Sequence, residues 1–137
     1  IMRILAAVLA LMLVSEARAD DLVIDMTADD DFSVKVGNIN VGQTVTWLPT
    51  AKGHNIEFAK GPAGANLPSK SKLSKEVSVK FTNTGVYLYW CGPHKDTGML
   101  GLIVVGNDLS NLSEIADIKI SRQSDSVLEA LIASVNR

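Results

Sequence analysis

Apolar residues recur at every second position, or in short β-branched runs, through most of the chain between residues 22 and 106. Alternation with a period of two is typical of strands that bury one face. Seven stretches fit this pattern: 22–26, 32–36, 44–48, 55–58, 76–81, 86–90 and 100–105. Short strands at this spacing predict a mainly β domain, a sandwich or barrel with antiparallel connections.

Glycine, proline and asparagine interrupt the apolar stretches and predict turns between them. The predicted turns lie at 37–38, 41–42, 61–62, 67–68 and 83–85. Within one stretch, Val77, Val79 and Phe81 alternate with polar residues, which places three apolar side chains on one face of a half-buried strand.

The pattern becomes helical after Gly106. Asn111 with Glu114 is typical of a helix N-terminus, and Ser126 with Glu129 repeats this pair. Apolar residues then recur at helical spacing and form a stripe along one face. The stripe consists of Val127, Leu128, Leu131, Ile132 and Val135. We expect one or two C-terminal helices whose stripe packs on the sandwich rather than on a partner protein.

Residues 1–19 are organised for export. Arg3 precedes an apolar run at 4–14, and the Ala-Arg-Ala segment at 17–19 fits the rule for signal-peptide cleavage before Asp20. The run is too short to span a bilayer comfortably, so an uncleaved membrane anchor is the less favoured alternative. We expect a signal peptide at 1–19, whose start the sequence leaves open between Ile1 and Met2, a β-sandwich that carries the functional site at 20–106, and a helical extension of the same domain at 107–137.

Lysines are concentrated in the middle of the chain. Residues 52–95 contain seven Lys and two Glu, with no Arg. Duplex recognition favours Arg, and single-strand binding needs aromatic side chains between the charges, so this segment is not typical of a nucleic-acid surface. The lysines form either a solvated face or a docking surface.

Three potential metal ligands share one short loop. Cys91, His94 and Met99 follow one another as Cys-x₂-His-x₄-Met between two predicted strands. Pro93 stiffens this loop and Gly98 lets it turn. Each of these residues has an ordinary structural role when taken singly, and it is their combination that predicts a metal site.

The ligand types favour copper. The chain has one Cys, which excludes an internal disulfide and any multi-cysteine zinc or iron–sulfur site. Thiolate and thioether sulfur select copper, and two imidazoles, one thiolate and a weak axial Met are the ligands of an electron-transfer copper centre. Zinc rarely takes Met. Because the chain has two histidines, the second imidazole must come from His54. We predict one copper ion per chain.

Three segments resemble the small blue copper proteins, the cupredoxins. They are Gly-His-Asn-Ile-Glu at 53–57, Tyr-Trp-Cys-Gly-Pro-His at 89–94 and Gly-Met-Leu-Gly-Leu-Ile-Val-Val-Gly at 98–106. The helical tail is similar to that of the pseudoazurins, a subfamily of the cupredoxins. The resemblance covers residues 20–137 and implies a Greek-key sandwich of about seven or eight strands with one or two C-terminal helices.

The resemblance implies a role for each residue of the predicted site. His54, Cys91 and His94 would be the equatorial copper ligands, and Met99 would be the axial ligand. Asn55 would join the two ligand loops by hydrogen bonds, which orient the ligands. Pro93, which stiffens the ligand loop, would lie next to the ligands without binding the metal.

Two positions depart from the pseudoazurin pattern. Residues 29–31 are Asp-Asp-Asp where a lysine is usual in the first loop. Trp90 precedes the cysteine where a lysine or another polar residue is usual.

These features predict a one-electron carrier that cycles between Cu(I) and Cu(II), and not an enzyme. Electrons would pass through the edge of His94, at a flat surface formed by Gly92, Pro93, Gly98 and Leu100. A basic rim would steer a transient redox partner with an acidic surface. The lysines of the rim are Lys52, Lys70, Lys72 and Lys95.

The expected location and oligomeric state follow from the predicted signal peptide and from the resemblance. We expect a periplasmic monomer that binds no nucleic acid and is not inserted in a membrane after signal cleavage. The resemblance implies a copper nitrite reductase or a nitrous oxide reductase as the electron acceptor.

Two other functions stay open from the residues alone. A copper-delivery or storage protein would also bind copper, although such proteins favour Met-rich or paired-Cys sites. A Cys–His hydrolase would use Cys91 as nucleophile and His54 or His94 as base, but a third group that would orient the base is not evident.

Overall fold

The computed structural model describes residues 21–136, so the predicted signal peptide lies outside the described residues. The strands within this range are β1 (Leu22–Asp25), β2 (Val36–Ile39), β3 (Thr44–Leu48), β4 (Glu57–Lys60), β5 (Val77–Lys80), β6 (Gly85–Trp90) and β7 (Leu100–Val105). The helices are a 3₁₀ helix (Gly92–Thr97) before β7, and α1 (Leu112–Ala116) and α2 (Arg122–Val135) after it. None of the described helices has the length and apolar character needed to cross a membrane.

The strands form two sheets, ordered β1-β3-β5 and β2-β7-β6-β4. One buried cluster contains Ile24 and Trp47 from the first sheet and Tyr89 and Ile103 from the second, so the sheets pack face to face. The prediction of a mainly β sandwich with C-terminal helices is confirmed. The connections are not all antiparallel, because β1 pairs with β3 and β2 pairs with β7 in parallel. Consecutive strands β1 and β2 lie in different sheets, and such crossovers permit parallel pairing.

Strands β6 and β7 are buried on both faces. Tyr87 and Tyr89 of β6 belong to the core between the sheets, whereas Val86 and Leu88, which alternate with them, pack against the helices. All five residues of the predicted apolar stripe of α2 belong to this second cluster. The stripe therefore packs on the sandwich, as the sequence predicted.

The strand predicted at 32–36 is wrong, and so is the turn predicted at 37–38. β2 begins at Val36 and runs through the predicted turn in parallel register with β7. Phe32 is buried but forms an isolated bridge instead of a strand. Gly37 allows the neighbouring side chains to pack closely, because a Cβ there would lie 2.6 Å from a Leu22 carbon and 2.9 Å from an Ile103 carbon. The alternation at 32–36 marks burial and not strand pairing.

Helix α1 starts at the predicted position, whereas helix α2 starts earlier than predicted. α2 begins before the predicted Ser126 position, and its N-cap is Ser121, whose hydroxyl accepts from Ser124 N–H at 3.0 Å. Asn111 precedes α1 as predicted, but its side chain does not cap the helix. It accepts from Val86 N–H at 2.8 Å and donates to Val86 C=O at 2.9 Å. Asn111 therefore fastens α1 to the edge of β6.

Removing the N-cap hydroxyl should destabilise the protein measurably. We expect Ser121→Ala to lower the free energy of unfolding by about 1 kcal/mol, because Ser124 N–H loses its acceptor. Ser126→Ala should change it by less than about 0.5 kcal/mol, because Ser126 is exposed inside the helix. Urea unfolding followed by circular dichroism measures both values. A larger loss for Ser126→Ala would show that the cap lies at the later position.

Candidate metal centre

Three potential metal ligands from two loops lie close together. His54 comes from the loop between β3 and β4, Cys91 follows β6, and His94 lies in the 3₁₀ helix. Cys91 Sγ is 3.6 Å from His54 Nδ1 and 3.5 Å from His94 Nδ1, and the two Nδ1 atoms are 3.2 Å apart. Side chains that are distant in the chain thus converge on one point.

This spacing fits one small metal ion. With metal–nitrogen bonds of about 2.0 Å and a metal–sulfur bond of about 2.3 Å, a trigonal plane places nitrogen about 3.7 Å from sulfur and the two nitrogens about 3.5 Å apart. The observed separations of 3.2 to 3.6 Å agree with this within a few tenths of an ångström. One thiolate and two imidazoles are ligands that suit copper.

A backbone carbonyl sets the protonation of the His54 ring. His54 Nε2 lies 2.9 Å from the carbonyl oxygen of Thr27. Because a carbonyl oxygen only accepts, Nε2 carries the proton and Nδ1 keeps a free lone pair on the side of Cys91. The ring therefore presents to the other donor atoms the nitrogen that a metal ion needs.

The ligand loop holds Met99 next to Cys91 and His94. Its side chain is 0 % exposed and belongs to the same core cluster as Cys91. Cys91 N–H donates to Met99 C=O at 3.0 Å, and Met99 N–H donates to His94 C=O at 3.2 Å. Gly98, with φ 94°, lets the chain reverse between these residues. Four potential ligands are therefore available.

Burial raises the pKa of the Cys91 thiol above its ordinary value. The negative charge of Asp30 adds to this rise, whereas hydrogen bonds from the backbone N–H groups of Asn55 and His94 lower the pKa. Since the protonated thiol is favoured in the absence of a cation, metal binding must displace a proton. A buried thiol with a raised pKa is also a poor nucleophile, which argues against a hydrolase.

Asn55 joins the two ligand loops. Its side-chain oxygen accepts from Gly92 N–H at 2.8 Å, and its amide group donates to Ser71 C=O at 3.2 Å. Pro93, which follows Gly92, is exposed and occupies the first turn of the 3₁₀ helix. The residues that follow His54 and Cys91 are thus tied to each other and, through Ser71, to a third segment.

The first turn of α2 holds the other side of the ligand loop. Ser124 is 0 % exposed, and its hydroxyl donates to Lys95 C=O and accepts from Gly98 N–H at 3.0 Å. The side chains of Ser121 and Gln123 donate to two further carbonyl groups of the loop, at 2.7 and 3.1 Å. Sequence patterns did not reveal these contacts, because they predicted a later helix start.

His94 is the potential ligand that reaches the surface. Its side chain is 27 % exposed, against 2 % for His54. Leu100 was predicted at the same surface, but this is wrong, because Leu100 is 2 % exposed and packs in the core under the helices. It is the first residue of β7, and the alternation of that strand turns its side chain to the helical side. The other residues predicted there are at least partly exposed: Gly92, Pro93 and Gly98.

A groove of ≈ 700 Å³ lies beside the ligand loop. Three of the four predicted rim lysines line it: Lys70, Lys72 and Lys95. Leu73, which is 51 % exposed, and Pro93 add apolar surface to the same groove. Lys52 lies before His54 in the first ligand loop and is not part of the lining.

Known proteins match this chain in sequence. The family model for copper binding proteins of the plastocyanin/azurin family matches residues 22–106. A pseudoazurin of Methylorubrum extorquens is 33% identical over 141 residues, which cover 96% of this chain and 95% of that protein.

Solved structures match the fold. The pseudoazurin of Methylobacterium extorquens AM1 has a TM-score of 0.77 and 31% identity, and the match covers 83% of this chain and 98% of that chain. The pseudoazurin of Sinorhizobium meliloti has a TM-score of 0.76 and 34% identity, with 83% and 94% covered. Because the family model ends at residue 106, matches of this length include part of the helical tail.

Proposed function

We propose that this chain, which belongs to the copper-binding plastocyanin/azurin family, holds its copper ion with His54, Cys91, His94 and Met99. The chain is an electron-transfer cupredoxin and not an enzyme, so the hydrolase alternative is wrong. The observation that carries the ligand assignment is the convergence of Cys91 Sγ and both Nδ1 atoms within 3.6 Å of one another. When bound, copper supplies a couple, Cu(II)/Cu(I), that accepts and releases one electron.

The protein keeps the ligands in one arrangement for both oxidation states. Asn55 ties the His54 loop to the Cys91 loop, and Ser124 ties the Cys91 loop to α2. Side chains locked by packing and by hydrogen bonds of this kind hold a site geometry closely. Little structural rearrangement should therefore accompany electron transfer.

The same packing disfavours a copper-delivery or storage role. His54, Cys91 and Met99 are at most 2 % exposed, so a competing ligand would have to enter past His94. A metal site that exchanges its ion needs easier access. Rapid loss of Cu(I) to a chelator would support the delivery role instead.

We propose that electrons leave through the exposed edge of His94 to a partner that docks over the adjacent groove. Lysines give this region positive charge, and Leu73 and Pro93 give it apolar contact area. Charge complementarity raises the association rate of such small, transient redox complexes. The partner should therefore present an acidic surface. The proposed docking lysines are Lys52, Lys70, Lys72 and Lys95.

We also propose that the chain acts as a periplasmic monomer and that a copper nitrite reductase or a nitrous oxide reductase accepts its electrons. The export pattern of residues 1–19 supports the periplasm. Similarity to a pseudoazurin over nearly the whole chain supports this class of acceptor.

Electron transfer to a copper nitrite reductase tests the docking surface. Replacing Lys72 and Lys95 together by Gln should lower the second-order rate constant about tenfold at low ionic strength, because steering is lost. The dependence on salt should become flatter, since fewer charges are left to screen. Stopped-flow oxidation of the reduced protein, measured over a series of salt concentrations, gives both quantities.

Lys80 and Lys119 provide the control. Both are exposed and lie outside the groove, and their double Gln variant changes the net charge by the same amount. If this control slows the reaction as much as the groove variant does, net charge and not the groove steers the partner. A wild-type rate that is insensitive to salt would contradict an acidic partner altogether.

A further inference from the structure

An acidic turn at 27–31 lies against the two histidines. Thr27 N–H donates to Asp31 C=O at 3.0 Å, and Asp30 N–H donates to Thr27 C=O at 3.3 Å. The Thr27 hydroxyl also donates to the Asp31 carboxylate. Asp30 has a φ of 55°, in the left-handed region where Asp and Asn are enriched. The turn is held by its own hydrogen bonds, which fix the backbone from which the Asp30 side chain extends.

The Asp30 carboxylate faces the far nitrogen of both rings. Its Oδ1 is 3.6 Å from His54 Nε2, and its Oδ2 is 3.6 Å from His94 Nε2. His54 Nε2 already donates to the Thr27 carbonyl at 2.9 Å. The carboxylate is therefore placed to act mainly on the partly exposed ring of His94.

We propose that Asp30 is a positioning residue of the copper site, whose carboxylate orients the His94 ring by attracting Nε2–H and lowers the reduction potential. This inference rests on the proposed function, because it takes His54 and His94 as copper ligands. At 3.6 Å the carboxylate lies beyond hydrogen-bond distance, but its charge favours the ring orientation that turns Nε2–H toward Asp30 and Nδ1 toward Cys91. It also makes the imidazole a stronger electron donor.

The charge of Asp30 acts in the same direction. Oxidation adds one positive charge to the site, so a nearby carboxylate stabilises the oxidised form more than the reduced form. The side chain of Asp30 is 54% exposed, and water and salt therefore screen part of this interaction. The potential is lowered as a result, and the effect is larger at low ionic strength.

Two substitutions separate the charge of Asp30 from the side-chain oxygens that face His94. Asp30→Asn removes the charge and keeps an acceptor, whereas Asp30→Gly removes both and tolerates the φ of 55°. Asp30→Asn should shift the reduction potential of the copper-loaded protein upward in a redox titration, most strongly at low salt. Asp29→Asn removes the same charge from an exposed position in the same turn and should give a smaller shift.

A second measurement uses the Cu(I) form, which is diamagnetic and therefore suited to NMR. There His94 Nδ1 would bind the metal and Nε2 would carry the proton. The exchange of this Nε2–H proton with water should be slow in the wild type, because Asp30 attracts it. Exchange should be faster in Asp30→Gly, whereas Asp29→Asn should leave it unchanged.

Either measurement can overturn the inference. The role of Asp30 is excluded by an Asp30→Asn potential that shifts no more than that of Asp29→Asn, or by a rate of His94 Nε2–H exchange that Asp30→Gly leaves unchanged. In both cases the wild type is still a blue copper protein, so the proposed function stands. A wild type without a thiolate–copper band overturns the proposed function and this inference together.

Discussion

The Cys91→Ser variant should bind Cu(II) without the intense blue absorption that a thiolate–copper bond produces. Cys91 is the one cysteine of the chain, and its sulfur lies 3.5 and 3.6 Å from the two candidate imidazole nitrogens. A serine hydroxyl is a hard ligand that stays protonated at neutral pH, so it cannot replace the thiolate. Visible absorption and electron paramagnetic resonance, recorded before and after ascorbate, should show loss of the band and of the narrow copper hyperfine splitting.

The fold should survive this change, because burying a serine hydroxyl costs about 1–3 kcal/mol. Met99→Gln is the matched control. It should keep the blue band, since the thiolate stays, and lower the reduction potential, since an amide oxygen favours Cu(II) more than a thioether does. A Cys91→Ser variant that remains blue would remove Cys91 from the site. An unchanged potential in Met99→Gln would remove Met99 from the axial role.

Ser124→Ala should lower the free energy of unfolding by about 2 kcal/mol, because two backbone groups of the ligand loop lose their hydrogen-bond partner. These groups are Lys95 C=O and Gly98 N–H, and Ser124 itself is 0 % exposed. The melting temperature of the copper-free protein should fall by roughly 5–10 °C, which calorimetry measures. The paramagnetic resonance spectrum of the copper form should also change, because His94 and Met99 flank the freed groups.

Ser134→Ala is the control for a lost hydroxyl in the same helix. Ser134 is exposed in the last turn of α2, and its hydroxyl donates to Leu131 C=O inside the helix. We expect a change in stability of less than about 0.5 kcal/mol and an unaltered copper spectrum. Equal losses for the two variants would mean that helix stability, and not the contact with the ligand loop, is what Ser124 supplies.

The β-sandwich and the copper cofactor were predictable from sequence because their signals are local. The strands predicted at 44–48 and 100–105 match β3 and β7 residue for residue, since alternation or continuous apolar character directly reflects burial. Copper followed from ligand types within one loop, and the family match confirms it. Neither prediction needed to know which strands are neighbours.

The remaining features depend on contacts that no local pattern contains. Phe32 alternates with its neighbours as a strand residue would, yet the pairing with β7 begins only at Val36. Both Ser121 and Ser126 have the character of helix caps, and the contact of α2 with the ligand loop decides between them. The three acidic residues at 29–31 stood out as a departure from the family, but the fold brings Asp30 to the histidines.

Strands β6 and β7, which carry the ligand loop between them, have almost no exposed side chain. At Gly101 a single added Cβ would lie 2.3 Å from atoms of the buried Tyr89 side chain. Since both larger and smaller residues cost stability in a close-packed interior, evolution has little freedom in these strands. Adaptation to a different redox partner is therefore expected in the exposed lysines of the groove, and adaptation of the potential in residues outside these strands, such as Met99 of the ligand loop and the turn at 27–31.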